Sequence, residues 1–441
     1  MAAHAPGCHN PSASRDHYRA TTTVRGATAA QPCGVVLATG ACDPMSGRIL
    51  VLNSGSSSIK FALFTAAHDP VRVLHGAISG IGAAPVFRAY GEDAALLFED
   101  DFHAPGGAGP LTHEAAQARL LDRLVARGYA SRLLGAGHRV VHGGERYSAP
   151  VRIDPEVLSE LERLAPMAPL HQPLDLAGIR VLMRLQPNLP QVACFDTAFH
   201  RTQPALAQKF ALPREITEAG VRRYGFHGLS YEYIAGALPL HLGERADGRV
   251  IVAHLGNGAS LCAMHARRSQ ATTMGFSTLD GLMMGTRSGS VDPGVLLYLM
   301  REKSMPAADL EDMLYRRSGL LGASGVSGDM RELLASSDPR SKEAVSLFVY
   351  RAARELGSLV AALGGLDVLV FTAGIGERAA AVRAMICEWA RWLGVELDEE
   401  ANRADRAIIS ASSSRVAVCV IPTDEEMVIA RHTARLLGCG S

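Results

Sequence analysis

From Met45 onward, short apolar runs alternate with amphipathic stretches, the pattern of an α/β fold in which buried strands lead into helices. The apolar runs predict strands at 49–52, 61–64, 138–142, 191–195, 250–254, 259–264, 368–371 and 416–421. Helical periodicity predicts helices near 114–127, 155–164, 174–185, 230–241, 293–302, 344–362, 380–393 and 425–437. The longest apolar stretch, Leu356 to Phe371, is broken by Gly364-Gly365 and Asp367. It reads as a buried helix followed by a buried strand, not as a membrane span. Two segments repeat one device: ILVLNSGSSSIKFALF at 49–64 and VIVAHLGNGASLCAMH at 250–265. Each is a strand, a turn of small residues and a second strand, which predicts two related domains facing each other.

Residues 1–44 break this pattern. They are rich in Ala, Thr, Ser, Gly and His and lack the apolar core of a secretory signal. Arg15, Arg19 and Arg25 among Ser and Thr fit a transit peptide, but Asp16 and the missing amphipathic helix do not. The segment is expected to be a disordered extension or a misassigned start. The length of 441 residues allows two or three domains. Basic and acidic residues balance at 44 each, which argues against a nucleic-acid binder. None of the eight cysteines forms a CxxC pair, and most sit in apolar runs, so reduced thiols and a cytoplasmic location are expected.

Small residues and sparse cations supply the candidate chemistry. Asn53-Ser54-Gly55-Ser56-Ser57-Ser58-Ile59-Lys60 exposes backbone amides and hydroxyls that suit phosphate oxygens, although it is no Walker loop and an ordinary Ser/Gly hairpin would read alike. Lys60 weighs toward phosphate, because the chain has 4 lysines against 40 arginines. His254-Leu255-Gly256-Asn257-Gly258 repeats the logic. Gly374-Ile375-Gly376-Glu377-Arg378 follows a strand and opens a helix, where α/β sheets bind nucleotides. Arg139 stands in an apolar strand, where an unpaired guanidinium is costly. Arg287 precedes a helix that starts at Asp292-Pro293. His227 precedes a helix expected to be capped by Ser230, and a plain structural histidine is its alternative. Asp196 ends a strand and could be an N-cap. Thr423 and Glu426 read as a capping box, which leaves Glu425 free for a metal.

NSGSSSIKFALF, GHRVVHGGERY, PLHQP, FDTAFHRTQP, RRYGFHGLS, HLGNGAS, MGFSTLDGLMMGTRSGSVDPG, SGVSGDMREL, FTAGIGER and IPTDEEMVIARHT occur in this order. The chain thereby resembles the acetate kinase family, of the sugar kinase, heat-shock ATPase and actin superfamily, from Met45 to near the C terminus. The resemblance implies an α/β fold of two duplicated ribonuclease-H-like (actin-like ATPase) domains with a nucleotide cleft between them. The N-terminal lobe would be 45–196 plus about 428–441, and the C-terminal nucleotide-binding lobe 197–427. It implies Mg²⁺, with Mn²⁺ as an alternative, at Asn53 and Glu425. It places Lys60 in the first phosphate loop, Arg139 on the substrate carboxylate, Asp196 as proton handler, and His227 with Arg287 on the transferring phosphoryl group. Val141, Leu170, Phe226 and Thr278 would form the acid's apolar pocket. ATP would touch His254, Leu255, Gly256, Asn257, Gly258, Asp329, Met330, Arg331, Gly374, Ile375, Gly376, Glu377 and Arg378.

Three positions depart from the family pattern: Arg378 and Asp424 stand where Asn is usual, and Thr278 where Pro is common. Asp424 adds negative charge beside the expected metal ligand. The implied reaction is reversible Mg-dependent transfer of the ATP γ-phosphoryl group to acetate, giving acetyl phosphate and ADP by direct in-line transfer. Propionate or butyrate kinase activity is the alternative. A chaperone-like ATPase would need a peptide-binding domain for which the chain has no room, and a sugar kinase would want polar groups at Val141, Leu170 and Phe226. The expected partners are ATP, a short-chain carboxylate and a second copy of the chain, with no nucleic acid and no membrane.

Overall fold

The computed structural model describes residues 47–55, 58–101, 111–130 and 132–439. The expectation for 1–44 lies outside these residues, as do Ser56 and Ser57 of the first turn. The strands are β1 (Arg48–Ser54), β2 (Ser58–Thr65), β3 (Arg72–Ser79), β4 (Val86–Gly91), β5 (Leu96–Asp101), β6 (Leu133–Val140), β7 (Val151–Arg152), β8 (Gln191–Phe195), β9 (Arg249–Leu255), β10 (Ala259–His265), β11 (Arg268–Thr272), β12 (Val368–Thr372) and β13 (Ala417–Val420). They form two sheets, ordered β5-β4-β3-β2-β1-β6-β8-β7 and β11-β10-β9-β12-β13.

The same pairing pattern occurs twice. The β1–β2 hairpin pairs antiparallel with β3 on one side and parallel with β6 and then β8 on the other. The β9–β10 hairpin pairs antiparallel with β11 and parallel with β12 and then β13. The repeat read from the two hairpin sequences is therefore a repeat of topology.

These central strands read as unbroken apolar runs because both their faces are covered. Leu50, Leu52, Phe61 and Leu63 pack toward the helix His113–Ala126, while Ile49, Val51, Ala62 and Phe64 pack toward the helix Glu425–Leu436. In the second sheet, Val250 and Val252 face the helix Gly228–Leu242, and Ile251 and Ala253 face the helix Pro339–Leu363. Strands β3, β4, β5 and β11 carry polar residues on a partly exposed face and showed no apolar run. Among the described residues, no helix is long and apolar enough to cross a membrane.

Two caps differ from the sequence expectation. The helix Gly228–Leu242 starts before Ser230, and its N-cap position is His227 in left-handed conformation (φ 59°). Ser230 lies inside the first turn, and its Oγ meets His254 Nδ1 at 2.8 Å. At the last helix, Asp424 rather than Thr423 is the N-cap, accepting the Met427 amide at 3.0 Å. The Thr423 hydroxyl is buried without a partner, so the expected capping box is not formed.

Candidate active site

The carboxyl ends of β9 and β12 open onto a cavity of about 620 Å³. Gly256, Asn257, Asp329, Met330, Arg331, Gly374, Ile375, Glu377 and Arg378 line it, which gathers most of the residues expected at a nucleotide. His254, Leu255, Gly258 and Gly376 are not among its lining residues. Leu255 is buried in the core, and Gly258 lies so close to His227 that a Cβ there would stand 3.2 Å from His227 Nε2. Asp329 caps the helix Met330–Ala335 and pairs with Arg331 at 2.5 Å, which holds its carboxyl below the ordinary range. The elbow after β12 turns at Ala373 (φ 63°). Glu377 Oε1 accepts the Ala373 amide at 2.9 Å and the Thr423 amide at 3.2 Å, tying the elbow to the loop before Glu425.

A second cluster centres on Arg139, at the end of β6. Its Nε and Nη2 donate to the two Asp196 carboxylate oxygens at 3.3 and 2.5 Å. Asp196 is thus an ion-pair partner and not the N-cap considered from its position. Burial opposes the charge of Arg139, but the carboxylates of Asp196, Asp175 and Glu425 outweigh it and raise its pKa. Burial raises all three acids in turn: Asp175 and Glu425 to about 7, and Asp196 upward against the pull of Arg139. Arg287 donates from Nη1 to the Thr278 carbonyl at 3.1 Å, and its Nη2 lies 3.0 Å from His171 Nε2. Burial, then Arg287 and Arg139, hold His171 down to about 3, so it is a neutral acceptor. His227 stacks on His254 with centroids 4.2 Å apart, and its Nδ1 meets Ser260 Oγ at 2.8 Å. Burial and the neighbours His254, Arg139 and Arg287 keep His227 neutral well below its ordinary pKa.

The four residues expected at the acid's apolar group differ in burial. Val141 and Phe226 are buried in one cluster with Ala168, Thr278 is buried, and Leu170 is half-buried. The Val141 amide is held by Asp175 Oδ2 at 3.0 Å, and the Phe226 carbonyl lies 2.8 Å from His200 Nε2. Thr278 meets Arg287 through its carbonyl, which a Pro would also supply, so that departure leaves the contact intact. Asn53 is paired across the β1–β2 ladder with Lys60. The Lys60 side chain is exposed in a separate cavity of about 390 Å³ with Arg72, His75, Arg88 and Glu426. Its charge still lowers the pKa of both His254 and Glu425. The extra charge of Asp424 is met by a direct ion pair with Arg72.

No group of three or more His, Cys, Asp or Glu that could hold a metal is present among the described residues. The donor chemistry of Glu425 and Asn53, a carboxylate whose pKa is raised by burial and an amide oxygen, suits Mg²⁺. That ion is usually bound through one or two protein oxygens, with phosphate and water completing its shell. The sequence reading missed His171, Asp175, Gln172 and Arg72. The first three share one end of the helix Gln172–Leu185, where polar groups are buried. Polar residues at i, i+1 and i+4 among the apolar and proline positions of PLHQPLD were the available signal.

The Acetokinase family model matches residues 48–431. The acetate kinase of Rhodopseudomonas palustris (strain ATCC BAA-98 / CGA009) is 56% identical over 402 residues, 90% of this chain and 100% of its own. That of Rhizobium meliloti is 48% identical over 390 residues, covering 88% of this chain and 98% of its own. Among solved structures, a propionate kinase from Francisella tularensis subsp. tularensis SCHU S4 superposes with a TM-score of 0.81 at 36% identity, covering 88% of this chain and 98% of that one. The Porphyromonas gingivalis acetate kinase gives 0.78 at 37% identity, over 89% and 100%.

Proposed function

Because the chain belongs to the acetokinase family, we infer that it is an acetate kinase, exchanging a phosphoryl group between ATP and acetate to give ADP and acetyl phosphate. The observation that carries the site assignment is the convergence of two half-buried arginines, Arg139 and Arg287, on a neutral His227, beside the apolar cluster that holds Val141 and Phe226. Acetate is already ionised at neutral pH, so the work is to bring one anion against another.

Arg139 uses its Nε–Nη2 edge for Asp196, which leaves the Nη1–Nη2 edge for the substrate carboxylate. In this reading Asp196 orients Arg139 instead of moving a proton. Arg287, fixed by Thr278 and His171, faces the charge that spreads over the transferring phosphoryl oxygens. His227 stays uncharged and offers its Nε2 side next to Gly258. The nucleotide lies in the 620 Å³ cavity, and Lys60, whose charge reaches His254 and Glu425, is assigned to its phosphates. Asn53 and Glu425 hold Mg²⁺, which supplies charge neutralisation on the phosphates. Transfer is direct and in line, without a phosphorylated His227 or Glu425.

We assign 45–196 with about 428–441 to one lobe and 197–427 to the other. A homodimer fits the helix Pro293–Glu302, which buries no residue and exposes Val295, Leu297, Tyr298 and Met300. A cytoplasmic location fits the free cysteines Cys194, Cys262, Cys387, Cys419 and Cys439.

Hydroxamate trapping with ATP, Mg²⁺ and acetate, propionate or butyrate tests the function. Acetate is expected to give the highest kcat/KM. Preferred turnover of a longer acid would reassign the substrate, and no turnover with any of the three would overturn the reading.

A further inference from the structure

Arg383 is fully buried, in the helix Ala380–Trp389 just behind the nucleotide-cavity wall. The helix Ala373–Arg378, which forms part of that wall, is only six residues long and ends where the chain bends at Ala379. Carbonyls at such a helix end have no partner within their own helix. The Gly376 and Glu377 carbonyls fall at this break, and both accept from Arg383 Nη1, at 3.0 and 2.8 Å. The rest of the guanidinium is gripped from the opposite side. Nε donates to Asn402 Oδ1 at 2.8 Å, and Nη2 donates to the Asn402 carbonyl at 2.6 Å and to Asp405 Oδ1 at 2.5 Å. Asn402 Nδ2 completes the frame by donating to the Ala380 carbonyl at 3.0 Å.

Burying a guanidinium is costly unless its donors are used, and here all three nitrogens are. Its rigid planar fork fixes the distance between the wall and the helix Glu399–Arg403 in a way that a single ammonium cannot. Gly374, Ile375, Glu377, Arg378 and Ala379, which face the cavity, all lie on the segment whose carbonyls Arg383 holds.

We propose that Arg383 is a positioning residue for nucleotide binding: from behind the wall it fixes the bend at Ala379, and so the surface that the nucleotide meets. The proposal rests on the reading of the 620 Å³ cavity as the nucleotide site.

Arg383→Lys and Asp405→Asn test it. Asp405 has a left-handed backbone (φ 50°), which Asn tolerates, so the second variant keeps its fold and an acceptor oxygen while losing the charge. Calorimetric titration with ADP in Mg²⁺ buffer and initial-rate kinetics are run on the full-length protein, together with melting curves. Arg383→Lys is expected to raise the ADP Kd and the KM for ATP by about five- to tenfold, and Asp405→Asn by about two- to threefold. The KM for acetate should stay within about twofold of wild type in both. Wild-type ADP affinity in both variants, whatever their melting temperatures, would overturn the proposal. So would equal rises in the two KM values, which would mark a merely structural role. Gly374→Trp separates the two readings, because a side chain added at Gly374 would project into open space. If Gly374→Trp leaves ADP affinity intact, the nucleotide binds elsewhere and the cavity assignment fails, taking the proposal with it. If Gly374→Trp abolishes binding while Arg383→Lys and Asp405→Asn bind ADP with wild-type affinity, only the role of Arg383 fails.

Discussion

Asp175 keeps one carboxyl oxygen on the Val141 amide and the other buried without a partner. Its pKa rises to about 7, above the roughly 4 of an unfolded aspartate, so between those values the folded state holds the proton more tightly. This carboxyl therefore lowers stability as pH climbs from about 4 to about 7. His138, His142 and His200, lowered to about 4 by burial, act in the opposite sense and cost stability as pH falls below about 6.5. Asp175→Asn keeps an acceptor for Val141. In urea melts it should gain on wild type as pH rises to about 7, by at most roughly 4 kcal/mol, and stay level above that. A difference that does not vary with pH would show that Asp175 ionises normally. For Arg287, replacement by Ala should lower kcat by about 10³–10⁵ with the KM for ATP little changed. Arg287→Lys should restore little, because the two guanidinium nitrogens reach different partners, Thr278 and His171. Steady-state kinetics decide this, and substantial rescue by Lys would mean that charge alone suffices. Motifs in the sequence named Arg139, Arg287 and His227. The pairing of Arg139 with Asp196 and of Arg287 with His171 spans 57 and 116 positions, and no local pattern encodes it.

The last helix shows how a correct element can carry a wrong cap. Both Thr423 and Asp424 suit an N-cap, and the choice falls to Asp424 because Arg72 on β3 pairs with it from outside the helix. Asp424→Ala should then cost about 1–2 kcal/mol in denaturant unfolding, while Glu426→Ala should cost little. Glu425→Ala should instead raise the Mg²⁺ concentration needed for half-maximal rate. If Glu426→Ala shifts the Mg²⁺ dependence as much as Glu425→Ala does, the ligand has been misassigned. The same contrast explains which strands could be read from the sequence. Strands covered on both faces, such as β1 and β9, announce themselves as apolar runs. Strand β4, which alternates buried Phe87 and Ala89 with exposed Arg88, is defined by its neighbours β3 and β5 and leaves a weak trace.

Across the whole molecule, the family match begins at residue 48, and the first sheet begins just there with β1. Deleting 1–44 should leave the melting temperature and turnover unchanged, and a loss of several degrees would show that the segment packs on the fold. The helix Glu425–Leu436 packs on β1, β6 and β8, bringing Val428, Ile429 and Ala430 against Ile49, Val51 and Phe64. During synthesis, then, the first sheet is made early and finished last. The ribosome must deliver residues through Leu436 before one apolar face of β1 and β2 is fully covered, whereas most of the second sheet can form beforehand. A truncated message or a stalled ribosome would release a chain with that face bare, a ready substrate for chaperones and proteases rather than a half-active enzyme.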